Sequence, residues 1–444
     1  MNHPIVVVGA GPVGSLLSIA LAKRGFDVRI YEKRKDWRNQ GFKYVGRSIN
    51  LALSARGFNA LKKVELELAV KQLCVPMKQR AIHDLDGNVF YQPYDAFGSA
   101  IYSISREKLN NFLINQVEQN NIPIFWGNEP VIDPLNHKIM YSVNGEKIEL
   151  EYLFLFGCDG ISSSVRKIIM DEYNTTETIQ PLSLGYIEIE IQKIESWDKN
   201  SLHIWPRKNF MLIALPNSDD TFTATLFLPH KGENSFDEIK DKVDTFFEKQ
   251  FPDVYPYIVN LHEQFVKTQI SSLKTIYTPF WSSKNSRICL LGDSAHAIVP
   301  FYGQGLNAGF EDVSEFINLL DSFNGDFSSI PIDNFVKKRK INTDAIATLA
   351  LQNLEEMQLH TTQQKFRTLK NIDNHLQSLF PSIWIPQYSL VTFTPHVTYE
   401  YALKVGNLQK KYLNIIYSEL GSDLYSKERY QSYISDYLSE LSKL

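Results

Sequence analysis

The first residues able to do chemistry are Gly9-x-Gly11-x-x-Gly14. Glycines at this spacing permit a tight turn and let the backbone approach a pyrophosphate, which then rests at the positive end of the following helix. Glu32, 18 residues past Gly14, can accept hydrogen bonds from ribose hydroxyls. Further along, Gly157-Cys158-Asp159-Gly160 precedes Ser163-Ser164-Val165-Arg166. Gly292-Asp293-Ser-Ala-His296-Ala-Ile-Val-Pro300 then leads into Gly303-Gln-Gly305-Leu-Asn307-Ala308-Gly309. A strand ending in Gly-Asp places Asp293 near a sugar-alcohol hydroxyl. A glycine-lined helix start at 305–309 aims N–H groups at a second ligand end, where negative charge develops on a reduced ring. His296 within this motif supports the turn better than it serves as a base, and His203 beside Trp205 reads as structural.

These motifs need particular elements to hold them. Ile5-Val-Val-Val8 is a continuous apolar run, as expected for a parallel strand buried on both faces. A helical pattern follows through Leu21, Gly25 ends it, and Val28-Arg-Ile30-Tyr31 forms the next strand. Further strands of the same sheet are expected near 152 and 287. The segment IHDLDGNVFY reads as strands around an Asp86-Gly87 turn. Arg106–Val117 reads as a helix, and residues 180–230 alternate in the manner of a separate antiparallel sheet. After about 305 the pattern is helical, broken at Pro331, Pro381, Pro386 and Pro395. The fold class is therefore α/β: a Rossmann-like dinucleotide-binding domain, an inserted antiparallel-sheet domain and a helical C-terminal region. The boundaries expected are 1–75, 100–178 and 280–330 for the first, 76–99 and 179–279 for the second, and 331–444 for the third.

Composition narrows the function. The chain has 444 residues, 46 basic and 50 acidic side chains and a formal net charge of −4. Without a basic surplus, nucleic-acid binding as a main role is disfavoured. The three cysteines, Cys74, Cys158 and Cys289, are far apart and form no pair or cluster with histidines. Neither a zinc site nor a disulfide framework is readable, and the usage suits a reducing cytoplasm. Ile5–Ala22 runs 18 residues without a charge. Its glycines and proline fit a strand, turn and helix better than a membrane span, so a soluble protein without a transmembrane segment is expected.

Taken in this order, the three glycine motifs resemble the FAD-dependent single-component aromatic hydroxylases, related in fold to p-hydroxybenzoate hydroxylase. Gly46-Arg-Ser-Ile-Asn-Leu-Ala-Leu-Ser54, Ser105-Arg106-Glu107, Leu202-His-Ile-Trp-Pro-Arg207, Met211–Asn217 and Gly292–Asp312 sharpen the likeness toward the kynurenine 3-monooxygenase family. The similarity runs from the N-terminus to about residue 400. Eukaryotic members carry a C-terminal membrane-anchoring extension, so a bacterial-type member is implied here.

The resemblance implies that NADPH reduces FAD and that the reduced flavin carries O₂, as a C4a-hydroperoxide, to the kynurenine ring. No side-chain nucleophile and no metal are needed, since the flavin carries the chemistry. For FAD, Gly9, Gly11, Val13, Gly14, Glu32, Lys33, Arg34, Ala52, Arg106, Val131, Asp293, Pro300, Gly305, Leu306 and Asn307 are the expected contacts. For the amino-acid substrate, Arg80 holds the carboxylate, Tyr94 and Tyr388 donate hydroxyls to it, and Asn353 and Glu356 face its polar side. Taken alone, a Tyr beside Pro is more often a packed aromatic and Asn353 a solvated helix residue. Other readings are a flavin hydroxylase of another aromatic carboxylate and an FAD-binding protein without hydroxylase activity.

Overall fold

The computed structural model describes residues 3–39, 50–143, 145–360 and 364–444. Positions 46–49 of the Gly46–Ser54 motif lie outside the described residues. The chain divides into two compact units, each assembled from three segments: 1–73, 104–181 and 274–344 in one, 74–103, 182–273 and 345–444 in the other.

The first unit is built on a five-stranded sheet in the order 288–290, 154–157, 5–8, 28–32, 124–126. All its pairings are parallel, with Val8 opposite both Gly157 and Tyr31. Ile5, Val6 and Val7 are fully buried, which is why this run carries no alternation. Helix Pro12–Ala22 follows the central strand at once, with Pro12 in its first turn, where the missing N–H costs nothing. It packs on helices Arg106–Gln119 and Gly305–Ser322. A separate antiparallel sheet of 131–133, 138–143 and 146–151 completes this unit.

The second unit centres on the sheet ordered 271–277, 178–191, 222–229, 210–216, 201–207, 79–83, 89–93. Its outer strands 79–83 and 89–93 form the hairpin around Gly87, whose φ of +81° suits the turn. In the long strand, Ile187, Ile189 and Ile191 are buried while Glu188 and Glu190 are not, the period expected of a sheet with one covered face. A core of Trp205, Leu212, Leu226, Phe247 and Phe251 lies against that face.

Helix Ile332–Glu355 starts directly after Pro331 and widens into a π turn over Glu356–His360. Helices Gln364–Leu379, Gln387–Thr392, Tyr399–Leu420 and Lys427–Leu441 follow, with Pro381, Pro386 and Pro395 all falling between helices. They share a core of Trp384, Tyr412, Tyr430, Tyr437 and Leu376. Among the described residues, no helix is long and apolar enough to cross a membrane.

Candidate active site

In the first unit, the turn after the central strand is fixed by contacts that exclude side chains. Gly9 has φ +108°, and a Cβ there would stand 2.5 Å from the Cys158 carbonyl oxygen. A Cβ on Gly14 would collide with the Gly9 carbonyl oxygen, whereas Gly11 faces open space. Gly11 is the N-cap of helix Pro12–Ala22 and no side chain caps that end. The first-turn N–H groups therefore await an external acceptor. Beside them the buried Glu32 carboxylate accepts from the Ala10 N–H at 2.9 Å and from the Arg34 guanidinium at 2.8 Å. Burial works to raise this carboxyl, but the Arg34 contacts outweigh it and hold it below the usual range. Lys33 is exposed next to it.

Val13 fills the space next to Gly292 and Gly309, joining this turn to the 292–309 segment. Asp293 is exposed at the start of a short helical turn. Pro300–Tyr302 forms a further turn, and helix Gly305–Ser322 begins without a side-chain cap, leaving the N–H groups of Gly305, Leu306 and Asn307 available. The Asn307 side chain is wholly committed: its amide donates to the Ala52 and Gly303 carbonyls at 2.8 and 2.9 Å and accepts from the Ser54 N–H at 2.9 Å. Only its backbone is left for a ligand. Ala52 likewise contributes position rather than a functional group. Arg106 opens helix Arg106–Gln119, half-buried and without an ion pair among the described residues. Val131 stands apart on the edge of the three-stranded sheet, 61% exposed and opposite Met140. A glycine cradle, an acidic ribose acceptor and two uncapped helix starts make a donor set that suits FAD.

A buried polar network that local patterns do not reveal supports the 292–309 segment. Asp312 accepts from the Gly292 N–H at 2.8 Å, from His296 Nε2 at 2.6 Å and from Arg339 Nε at 2.8 Å. Burial would raise this carboxyl, yet the neighbouring His296 and Arg339 charges hold it low. Arg339 also reaches Glu311, which pairs in turn with Arg56. The Trp281 ring stacks on His296 at 5.0 Å. His296 is thus a brace under the Gly292 turn. Arg166 donates to the Ser294 carbonyl, and Asp159 accepts from the Ser164 N–H, capping its own helix.

In the second unit, Arg80 lies on strand Gln79–His83 and is only 6% exposed. Its guanidinium carbon is 5.1 Å from the Tyr388 ring and 6.0 Å from the Tyr94 ring, and those rings stack at 5.1 Å. Tyr94 is buried, and its hydroxyl finds no hydrogen-bond partner of good geometry among the described residues. Burial pushes both phenols up. Glu356, in the π turn, approaches Arg80 and Lys370 at 3.6 Å each. Burial alone would raise its carboxyl, but those cations outweigh it and keep the group low. Arg80, Gln92, Tyr94, Glu356, Lys370 and Tyr388 line a half-open pocket. Asn353 is buried one turn before Glu356, with its amide 3.5 Å from the Met357 sulfur, and does not line this pocket.

The pocket sets the buried Arg80 guanidinium beside two stacked aromatic rings. The chain has known relatives over most of its length. The chain matches the FAD binding domain family over residues 2–348. It is 41% identical over 420 residues to a kynurenine 3-monooxygenase of Christiangramia forsetii, covering 92% of this chain and 93% of that one. It is 38% identical over 418 residues to a kynurenine 3-monooxygenase of Sus scrofa, covering 92% and 88%.

The chain belongs to the kynurenine 3-monooxygenase family.

Among solved structures, a tetrameric form of 2-methyl-3-hydroxypyridine-5-carboxylic acid oxygenase superposes with a TM-score of 0.67 at 16% identity, over 84% of this chain and 97% of that one. This is a likeness of fold. It matches the α/β architecture expected from the motifs. Three residues of the pocket, Gln92, Lys370 and Asp373, were not anticipated. Gln92 had a signal: a hairpin folded about Asp86 brings Arg80 and Gln92 opposite each other, the register observed. Lys370 and Asp373 come from a helix near 290 residues away in sequence, and no local pattern marks them.

Proposed function

We propose that the chain hydroxylates L-kynurenine to 3-hydroxy-L-kynurenine, using FAD, NADPH and O₂, as a step of tryptophan degradation toward pyridine nucleotides. The observation that supports this reading is the buried Arg80 beside the stacked Tyr94 and Tyr388 rings, in a chain of this family. A planar guanidinium offers a carboxylate two parallel hydrogen bonds, and desolvation strengthens them. Tyr94 and Tyr388 hydroxyls, kept protonated by burial, remain donors for the same carboxylate. Glu356 would face the polar side of the amino acid; Asn353, expected there, is buried one turn before it and does not line the pocket.

In the first unit, Gly9, Gly11, Val13 and Gly14 would hold the pyrophosphate, Glu32 to Arg34 the ribose end, and Asp293 the ribityl chain. The N–H groups of Gly305, Leu306 and Asn307 would face the ring system, near Pro300, with Ala52, Arg106 and Val131 as further contacts. When bound, FAD takes electrons from NADPH and activates O₂. The protein's part is to orient the aminophenyl ring by its distant carboxylate and to keep water from the reacting centre. NADPH would act as a transient co-substrate. The three free cysteines support a reducing, cytoplasmic setting.

The test is formation of 3-hydroxykynurenine from L-kynurenine, NADPH and O₂ by the flavin-loaded protein. NADPH oxidation that kynurenine does not accelerate would defeat the reading and favour a flavin-binding protein without this activity. Acceleration only by another aromatic carboxylate would favour a related hydroxylase.

A further inference from the structure

Gln92 is opposite Arg80 in the hairpin register, so both side chains leave the sheet on one face, with Tyr94 two residues on. The Gln92 Oε1 atom is buried against the pocket and has no hydrogen-bond partner among the described residues. An orphaned buried acceptor is costly, and in a pocket its natural complement is a donor brought by the ligand. A carboxylate brings none. The same pocket holds Glu356, whose contacts to Arg80 and Lys370 are both 3.6 Å. Those contacts are longer than the roughly 2.7–2.9 Å of a charge-assisted hydrogen bond, so Glu356 also retains capacity for a closer cation. Cationic Arg80 and two acceptors in one enclosure suit a zwitterion rather than a simple acid.

We propose that Gln92 is a specificity-determining residue: its Oε1, together with Glu356, accepts the α-ammonium of the substrate whose carboxylate is held by Arg80. The inference rests on the kynurenine reading above. It makes the pocket select free α-amino acids over des-amino and N-acylated analogues. Lys370 contributes by holding Glu356 ionised while staying on its solvent side, 30% exposed.

The test uses the FAD-loaded protein and measures equilibrium dissociation constants for L-kynurenine and for 4-(2-aminophenyl)-4-oxobutanoate, which lacks only the α-amino group. Wild type should bind kynurenine more tightly by more than about 10-fold, the scale of one hydrogen bond to a charged group, since both Gln92 and Glu356 accept from the ammonium. Gln92→Leu should weaken kynurenine by about 10-fold and leave the des-amino ligand within about twofold. Gln92→Glu, which keeps an acceptor, should retain kynurenine binding. Equal losses for both ligands in Gln92→Leu, or no loss for either, would overturn the proposal. So would a Gln92→Glu variant that binds the des-amino ligand as wild type does but no longer prefers kynurenine, since it keeps an acceptor. Wild type that binds the des-amino ligand but not kynurenine overturns the proposal and the kynurenine reading together. Wild type that selects kynurenine without hydroxylating it overturns only the activity.

Discussion

Arg80→Ala is the sharpest perturbation of the pocket. The substitution removes a buried fork whose carbon sits 5.1 Å from the Tyr388 ring, and no other strand residue replaces it. Each hydrogen bond to a charged group contributes about 1.5–3 kcal/mol, so losing a bidentate pair costs about 3–6 kcal/mol. At about 1.4 kcal/mol per tenfold, kcat/KM for kynurenine should fall by about 100- to 10,000-fold, mainly through KM. The fold should survive, because Glu356 keeps Lys370 at 3.6 Å and is not left as a lone buried charge. Arg80→Lys keeps a charge but loses the fork, and should fall by only about 10-fold. The assay is the kynurenine-dependent rate of NADPH oxidation, with 3-hydroxykynurenine quantified and flavin content measured from absorbance. Flavin content should not change, since the glycine cradle contains no part of this pocket. A KM within about twofold of wild type would refute the carboxylate assignment. Loss of flavin together with activity would refute the claim that Arg80 acts on substrate alone.

Three further outcomes test other parts of the molecule. Gly14→Ala drives a Cβ into the Gly9 carbonyl oxygen, so the turn must open; overpacking of this kind costs about 1–3 kcal/mol, and the purified protein should lose most of its bound flavin colour. Asp312→Asn leaves Arg339 with one carboxylate fewer in a fully buried site and should cost about 3–5 kcal/mol at pH 7 in urea unfolding. The folded pKa of Asp312 is depressed, so its stabilisation is complete above the unfolded value and is lost as pH falls below about 4. The gap between variant and wild type should therefore narrow in acid. Burial lowers the His203 pKa from the usual 6.5 to about 4. Between those values the unfolded chain binds more protons, so stability should fall by on the order of 3 kcal/mol as pH drops through that window, and His203→Gln should show a flatter profile. An unchanged slope in the variant would remove His203 as the cause.

The parts of this molecule that sequence discloses are those where the backbone itself is constrained. Gly9 and Gly14 tolerate no side chain because Cys158 and Gly9 carbonyls occupy the space, and such a demand leaves the same glycines at the same spacing wherever the turn is needed. The buried parallel strand Ile5–Val8 is legible for a similar reason, since both its faces require apolar residues. Arg80 had no such mark. One arginine after Met77-Lys-Gln says nothing by itself, and only the family likeness singled it out. The Asp312 network lies further still from view. Gly292, His296, Asp312 and Arg339 meet only after two helices have packed, and no pattern within either helix encodes that meeting. Asn307 shows a subtler limit: its position was expected, but its side chain serves Ala52 and Ser54, leaving the backbone for a ligand.

Strand Gln79–His83 shows how Arg80, the proposed carboxylate-binding residue, is held in place. Alternation sends Arg80 and Ile82 to one face and Gln79, Ala81 and His83 to the other. On that second face Gln79 donates to Asp198 at 3.1 Å, and Asp198 also accepts from the Ser201 hydroxyl. His83 meets Asp253 at 2.7 Å and His203 Nδ1 at 2.9 Å, while Trp205 donates to the same Asp253. The His203 Nε2 position faces the Asp198 carbonyl at 2.9 Å and must donate there. With burial keeping that ring neutral, its Nδ1 is an acceptor, so His83 supplies the proton between them. This ladder ties the strand at both ends, from Asp198 at Gln79 to Asp253 at His83. A guanidinium held for bidentate recognition loses affinity if its strand slides or twists, because the fork must meet both carboxylate oxygens at once. If Arg80 binds the carboxylate as proposed, the polar cluster behind the sheet supports that recognition through the backbone. That arrangement puts the cost of burying four polar side chains on the side away from substrate, where every donor can find a fixed partner.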